Sequence, residues 1–157
     1  LLGEPGTGGP LLERLVDRGA IAVTAEMIGA CDAALALTTQ YAKDRVQFGQ
    51  PIGHYQGVKH PLAEAYVDVE SLRSLLYYAA WAVDARPDEV PLAASRAKAL
   101  ASEAFTRLGV TAIQLHGAIG YTQECDVQLY LRRSKWARPM YGDESFHLDR
   151  VARLGGY

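Results

Sequence analysis

Residues 41–56, YAKDRVQFGQPIGHYQ, concentrate the groups best suited to grip a polar ligand. Lys43, Asp44, Arg45 and Gln47 crowd a turn that Phe48-Gly49 and Pro51 then break, since Gly suits a left-handed cap and Pro cannot continue a helical ladder. Arg45 has two physical uses: it faces the negative end of a helix, or it clamps an anion with its fixed fork of donors. A second break at 114–121, QLHGAIGY, follows a helix end at Gln114 with Gly117 and Gly120. Glycine lets a backbone approach a ligand closely, and it equally caps a helix with no ligand at all. Neither a G-x-G-x-x-G nor a Walker pattern is present. The third break, 139–146, carries the neighbouring carboxylates Asp143 and Glu144. A general base must reach its proton directly or through one water. The same two residues serve a helix start, Asp143 as its cap and Glu144 in favour of its dipole.

Long helices must position these breaks. After a Gly/Pro-rich lead at 1–10, apolar residues recur at spacings of three and four from Leu12 to Tyr41, which predicts a helix over about 11–47. Gly19 and Gly29 within it suit close helix contacts. A second helix begins between His54 and His60, with Pro61 in its first turn, and runs to about Asp84. The third, about 91–115, is rich in alanine, with Lys98 and Glu103 expected to point outward. The fourth, about 123–137, has a basic face of Arg132, Arg133, Lys135 and Arg138, and Pro139 stops it. A last helix runs from Glu144 to about Leu154. No strand alternation stands out. The expectation is all-α: an up-down four-helix bundle with an extra C-terminal helix, whose flat outer surfaces suit an oligomer.

Composition narrows the function classes. A formal charge of −2 and 49% hydrophobic residues argue against a nucleic-acid surface and against disorder. Cys31 and Cys125 lack C-x-x-C spacing and read as thiols in a reducing, cytoplasmic setting. His54, His60, His116 and His147 lack ligand spacing, so no metal site is expected. Runs such as 33–37 and 75–83 are too short or too interrupted to cross a bilayer, so no membrane insertion is expected. The opening Leu1-Leu2, without Met, suits a piece of a longer chain.

Three motifs in order carry a family resemblance. R-V-Q-F-G-x-P-I-x-x-Y-Q followed by V-K-H-P-L-A-E, then Q-L-H-G-A-I-G-Y, then R-R-S-K-W resemble the C-terminal helical domain of acyl-CoA dehydrogenases. The resemblance implies that 1–10 leave a middle β-domain and that 11–157 form the C-terminal bundle domain. It implies FAD as cofactor, contacted across a subunit interface by Arg45, Gln47, Phe48 and Gln56. Gln114, Gly117 and Ala118 would meet its adenosine part, with Ala118 standing where a second glycine is usual; Glu144 completes the implied flavin contacts. An acyl-CoA thioester is the implied substrate, in fatty acid metabolism, with an electron-transfer flavoprotein as electron acceptor. The implied assembly is a homodimer or homotetramer, or a hetero-oligomer with a related subunit.

The catalytic base departs from that pattern. The family's glutamate lies in a Y-E-G-T segment, and here Gly142 of Tyr141-Gly142-Asp143-Glu144 is read at its position. A minority of the family places the base in the first long helix, which by register from Arg45 is Gly19. Glu13 is 32 residues before Arg45, and using it would need a slip of about 9 Å at 1.5 Å per residue. Asp143 and Glu144 remain weak candidates, Asp143 through a one-residue shift. Three readings stay open: a flavin-dependent acyl-CoA dehydrogenase, a related subunit that kept the fold but lost the base, and a structural bundle without activity.

Overall fold

The computed structural model describes residues 3–157. Five helices make almost all of it: α1 (Gly8–Asp44), α2 (Gln56–Ala85), α3 (Val90–His116), α4 (Val127–Ala137) and α5 (Glu144–Gly155). Short connections force successive helices to run up and down, so α1 and α3 end together at one end of the bundle. This is the expected all-α bundle with an additional C-terminal helix. Of the expected lead at 1–10, residues 1 and 2 lie outside the described residues, and α1 already starts at Gly8.

The core is built from small and medium side chains on three facing helices. Met27, Cys31 and Ala34 of α1 meet Val69, Leu72 and Ala79 of α2, and Ala94, Ala101, Ala104 and Phe105 of α3. Alanine on α3 removes bulk and lets its neighbours pack at short range. Gly109 does the same for α4, since a methyl there would sit 2.9 Å from the Cα of Leu131. By length and hydropathy α1 is apolar enough to cross a membrane. Its apolar face is instead the packed centre of the bundle, where Ala20, Met27, Cys31 and Ala34 are wholly buried. Burial pushes the Cys31 thiol up to about 12, aided by the charges of Asp32 and Asp68, so it stays protonated.

Several local expectations need correction. α1 stops at Asp44 rather than Gln47, because Arg45 turns extended and opens a hairpin, β1 (Val46–Gln47) against β2 (Gln50–Pro51). Phe48 and Gly49, both with positive φ (53° and 83°), make its two-residue turn, the geometry that matches strand twist. Pro61 lies inside α2, not in its first turn, because that helix starts at Gln56. α4 starts at Val127, after a turn in which Cys125 N–H bonds the Thr122 carbonyl. Gly19 does sit at a close contact, whereas Gly29 faces open space.

The largest correction is Lys98, which is buried rather than outward. Its ammonium donates to Ser102 Oγ (2.9 Å), to the Arg138 carbonyl (2.8 Å) and to the Gly142 carbonyl (3.0 Å). All three of its protons are thereby used. Desolvation lowers its pKa to about 8, with Asp143 opposing and Arg138 reinforcing that shift. Replacing Lys98 by Met strands two part-buried carbonyls and relieves one buried charge. A net loss of about 2 kcal/mol is expected, read as a lower urea midpoint at unchanged slope.

Candidate functional site

The expected binding residues fall into two groups at different places. Arg45, Gln47, Phe48 and Gln56 form a corner where α1, the hairpin and α2 meet, and all four are exposed. The hairpin holds the corner in shape: Ile52 N–H bonds the Arg45 carbonyl at 2.8 Å, and Tyr55 OH donates to the Gln47 carbonyl at 3.2 Å. The Phe48 ring is 94% exposed, touching Tyr55 edge-on at 6.3 Å. An aromatic side chain left in solvent at a hairpin tip earns nothing from this chain's own packing. The Arg45 guanidinium has no carboxylate at ion-pair distance among the described residues. Gln47 uses its amide locally, donating to the Val46 carbonyl.

The end of α3 lies beside this corner. Tyr41, one turn before Arg45, stacks on His116 with ring centroids 4.3 Å apart and donates to its carbonyl. That contact brings Gln114, Gly117 and Ala118, all exposed, to the same end of the bundle. The glycines have local duties as well. Gly117 caps α3 with φ 66° and ψ −144°, a conformation almost confined to glycine. Gly120 is pressed on α3, where a methyl would lie 2.9 Å from the Ile113 carbonyl. The Ala118 methyl sits on the surface of a 3-10 turn (Gly117–Tyr121).

Gly142, Asp143 and Glu144 do not join this corner. They follow Tyr141, whose ring rests on Gly19 in the early part of α1. From Gly19 to Asp44 is about 37 Å along the helix at 1.5 Å per residue. Glu144 instead lies beside α3, lining a groove with Glu103, Arg107 and Thr111, apart from the Arg45 corner. Asp143 caps α5, its Oδ1 accepting the Phe146 N–H at 2.9 Å, and Glu144 pairs with Arg138 at 3.1 Å. Gly142 has φ 104°, and a methyl on it would meet Phe146 Cδ1 at 2.3 Å and His147 Nε2 at 3.0 Å.

Beneath this break lies a buried polar cluster that periodicity alone did not reveal. His147 is fully buried, with Nε2 3.0 Å from the Tyr141 carbonyl, so that nitrogen carries the proton and donates. Arg150 Nη1 approaches Asp17 Oδ1 at 2.7 Å, both side chains nearly buried. Neither atom is aligned for a hydrogen bond, so the contact acts as a buried ion pair. Lys98 completes the cluster. Burial pushes the His147 pKa down to about 4; Lys98 and Arg150 add to this, while the Tyr141 carbonyl and Asp17 oppose it. Native His147 therefore stays neutral where an unfolded histidine, near 6.5, takes a proton. The resulting stabilisation is complete above pH 6.5 and disappears as pH falls to 4, about 3 kcal/mol in all. Urea midpoints measured from pH 7 to pH 4 should fall less steeply for His147→Gln than for the parent by about that amount.

Comparisons with known proteins cover almost the whole bundle. The family model for the acyl-CoA dehydrogenase C-terminal domain matches residues 6–155. Acyl-CoA dehydrogenase IpdE2 of Mycolicibacterium smegmatis is 39% identical over 137 residues, covering 87% of this chain and 42% of that protein. The structure of butyryl-CoA dehydrogenase from Megasphaera elsdenii superposes with a TM-score of 0.93 at 31% identity, over 99% of this chain and 40% of the other. The FAD complex of PigA superposes with a TM-score of 0.92 at 28% identity, over 98% and 40%. The chain spans well under half the length of these proteins. With the motifs, the helix order and the matched residues in agreement, it belongs to the acyl-CoA dehydrogenase family and represents that family's C-terminal domain.

Proposed function

We propose that the full-length protein is a flavin-dependent acyl-CoA dehydrogenase and that this domain builds one wall of its flavin site. In that reaction the α-proton of an acyl-CoA thioester passes to a base, the β-hydrogen leaves with its electron pair, and a carbon–carbon double bond forms. FAD would supply the acceptor for that hydride, and an electron-transfer flavoprotein would reoxidise it.

One observation carries the reading. Arg45, Gln47, Phe48 and Gln56 converge with Gln114, Gly117 and Ala118 at one end of the bundle, exposed, with a guanidinium that has no carboxylate partner among the described residues and an aromatic ring left almost wholly in solvent. A flavin dinucleotide supplies what they lack. Its phosphates suit the guanidinium fork, and its rings suit Phe48. The donors of Gln56 and Gln114 and the open backbone at Gly117 suit its polar edges. The 37 Å between this end and Tyr141 adds a constraint. A flavin gripped by the Arg45 corner of one chain would react at the α5 end of another, which favours a dimer or tetramer.

A second reading has its own support. Neither Gly142 nor Gly19 offers a carboxylate, so this chain could be the partner of a base-bearing subunit in a hetero-oligomer. The visible spectrum of the full-length protein, followed by anaerobic titration with acyl-CoA thioesters, separates the two. A bound flavin bleached by substrate supports the dehydrogenase, and a colourless protein that copurifies with a related subunit supports the partner role. Replacing Arg45 by Ala should weaken flavin binding roughly ten- to a hundredfold, the range for losing a charge-assisted hydrogen bond of about 1.5–3 kcal/mol. Unchanged flavin content would sink the proposed role of the corner.

A further inference from the structure

Tyr141 holds a backbone conformation that needs explaining. Its φ is 58°, in the left-handed region, and Gly142 follows at 104°. A bulky residue in that region is uncommon and persists where its surroundings enforce it. Here they do so from below: His147 donates to the Tyr141 carbonyl, and Lys98 donates to the carbonyls of Arg138 and Gly142 on either side. The ring is directed onto α1 at Gly19, where that helix has no side chain to obstruct it. A methyl on Gly19 would lie 2.3 Å from Cε1, 2.4 Å from Cδ1 and 2.6 Å from Cζ of Tyr141. The side chain remains 41% exposed, so it is not simply filling the core.

The helix cap fixes how this segment lines up with Y-E-G-T. Asp143 is the N-cap of α5, and threonine belongs to the same small set of residues that cap in this way. Placing Asp143 on the threonine puts Gly142 on the glycine. That match suits its φ of 104°, which no side-chain-bearing residue adopts without strain. Tyr141 then falls on the glutamate. The alternative register sets a glutamate at residue 142, where its Cβ would run into Phe146 and His147. The Gly19 contact agrees independently. The two positions read for the base, one on α1 and one before α5, come together only if the residue before α5 is Tyr141.

Resting on the dehydrogenase reading above, we propose that Tyr141 is the side chain that meets the α-carbon of the thioester, in the place otherwise held by a carboxylate base. Gly19 is its seat, and Lys98 and His147 act as positioning residues that hold it there. Chemically the exchange replaces a proton acceptor with a phenol, which reaches further and offers a hydroxyl donor.

The test uses the full-length flavoprotein with butyryl-CoA, octanoyl-CoA and cyclohexanecarbonyl-CoA, comparing the parent with Tyr141→Glu, Tyr141→Phe and Gly142→Glu. Two readouts are taken: anaerobic flavin bleaching, and exchange of the α-hydrogen in D2O, in which a base removes the α-proton and solvent returns a deuteron. Tyr141→Glu should raise one or both by about a hundredfold or more, the usual scale for a positioned base. Gly142→Glu should raise neither. Should the parent itself bleach, Tyr141→Phe should remove that activity. A yellow protein in which no Tyr141 variant shifts either readout, or in which Gly142→Glu gains activity, overturns the assignment while leaving the dehydrogenase intact. A colourless protein in which Tyr141→Glu still promotes exchange overturns the dehydrogenase and leaves Tyr141 in place. A colourless protein without exchange in any variant overturns both. Circular dichroism of each variant identifies loss of folding, and Tyr141→Gln, matching glutamate in size but unable to act as a base, should show no gain over the parent in either readout.

Discussion

A cation with no water around it demands a complete set of acceptors, and the end of this bundle where α5 begins is built to provide them. Lys98 rises from the middle of α3 into the space between the end of α4 and the start of α5. Two of its three acceptors are main-chain carbonyls that flank an otherwise irregular loop. Satisfying the ammonium therefore fixes the loop, since moving Arg138 or Gly142 away would leave a buried charge short of partners. The neutral histidine at 147 and the Asp17–Arg150 pair sit against the same point. Left-handed backbone at two successive residues is held by electrostatics from beneath, not by turn propensity alone.

At the other end the logic reverses. The hairpin corner and the end of α3 are well ordered by their own hydrogen bonds and by the stack of Tyr41 on His116. The side chains of Arg45, Phe48, Gln56 and Gln114 are nevertheless exposed. At one end the buried ammonium is fully satisfied within the chain, and the other end is left open. A long, stiff α1 sets the distance between them, and apolar packing along its length makes that distance hard to change.

Much of this was legible in the sequence because it is periodic or local. The helices, their order, the three breaks and the Asp143 cap follow from spacing and turn chemistry. The corner residues are legible only through the motif, because by type and spacing alone Arg45 serves a helix end as readily as a ligand. What remained hidden is nonlocal. Residue type alone points Lys98 outward, although it follows Ala94 by four positions on a stripe that runs through Ala101 to Phe105, all buried. Had periodicity been weighed above polarity, the lysine would have been placed inside. Its partners, however, lie 40 and 44 residues away, and no local pattern names them. The hairpin was missed because strands of two residues cannot show alternation. The tyrosine–glycine contact between α1 and the loop before α5 joins segments more than a hundred residues apart.

The rod-like α1 has a genetic consequence. If the flavin corner of each chain serves the α5 end of another, every site is assembled from two polypeptides. A chain damaged only at the Arg45 corner and a chain damaged only in the loop before α5 would each form defective homodimers. Mixed in one dimer, they would make one site carrying both lesions and a second carrying neither. Two defective alleles would then complement each other within a single oligomer, restoring up to one intact site per mixed dimer, although no single chain in the population is wild type.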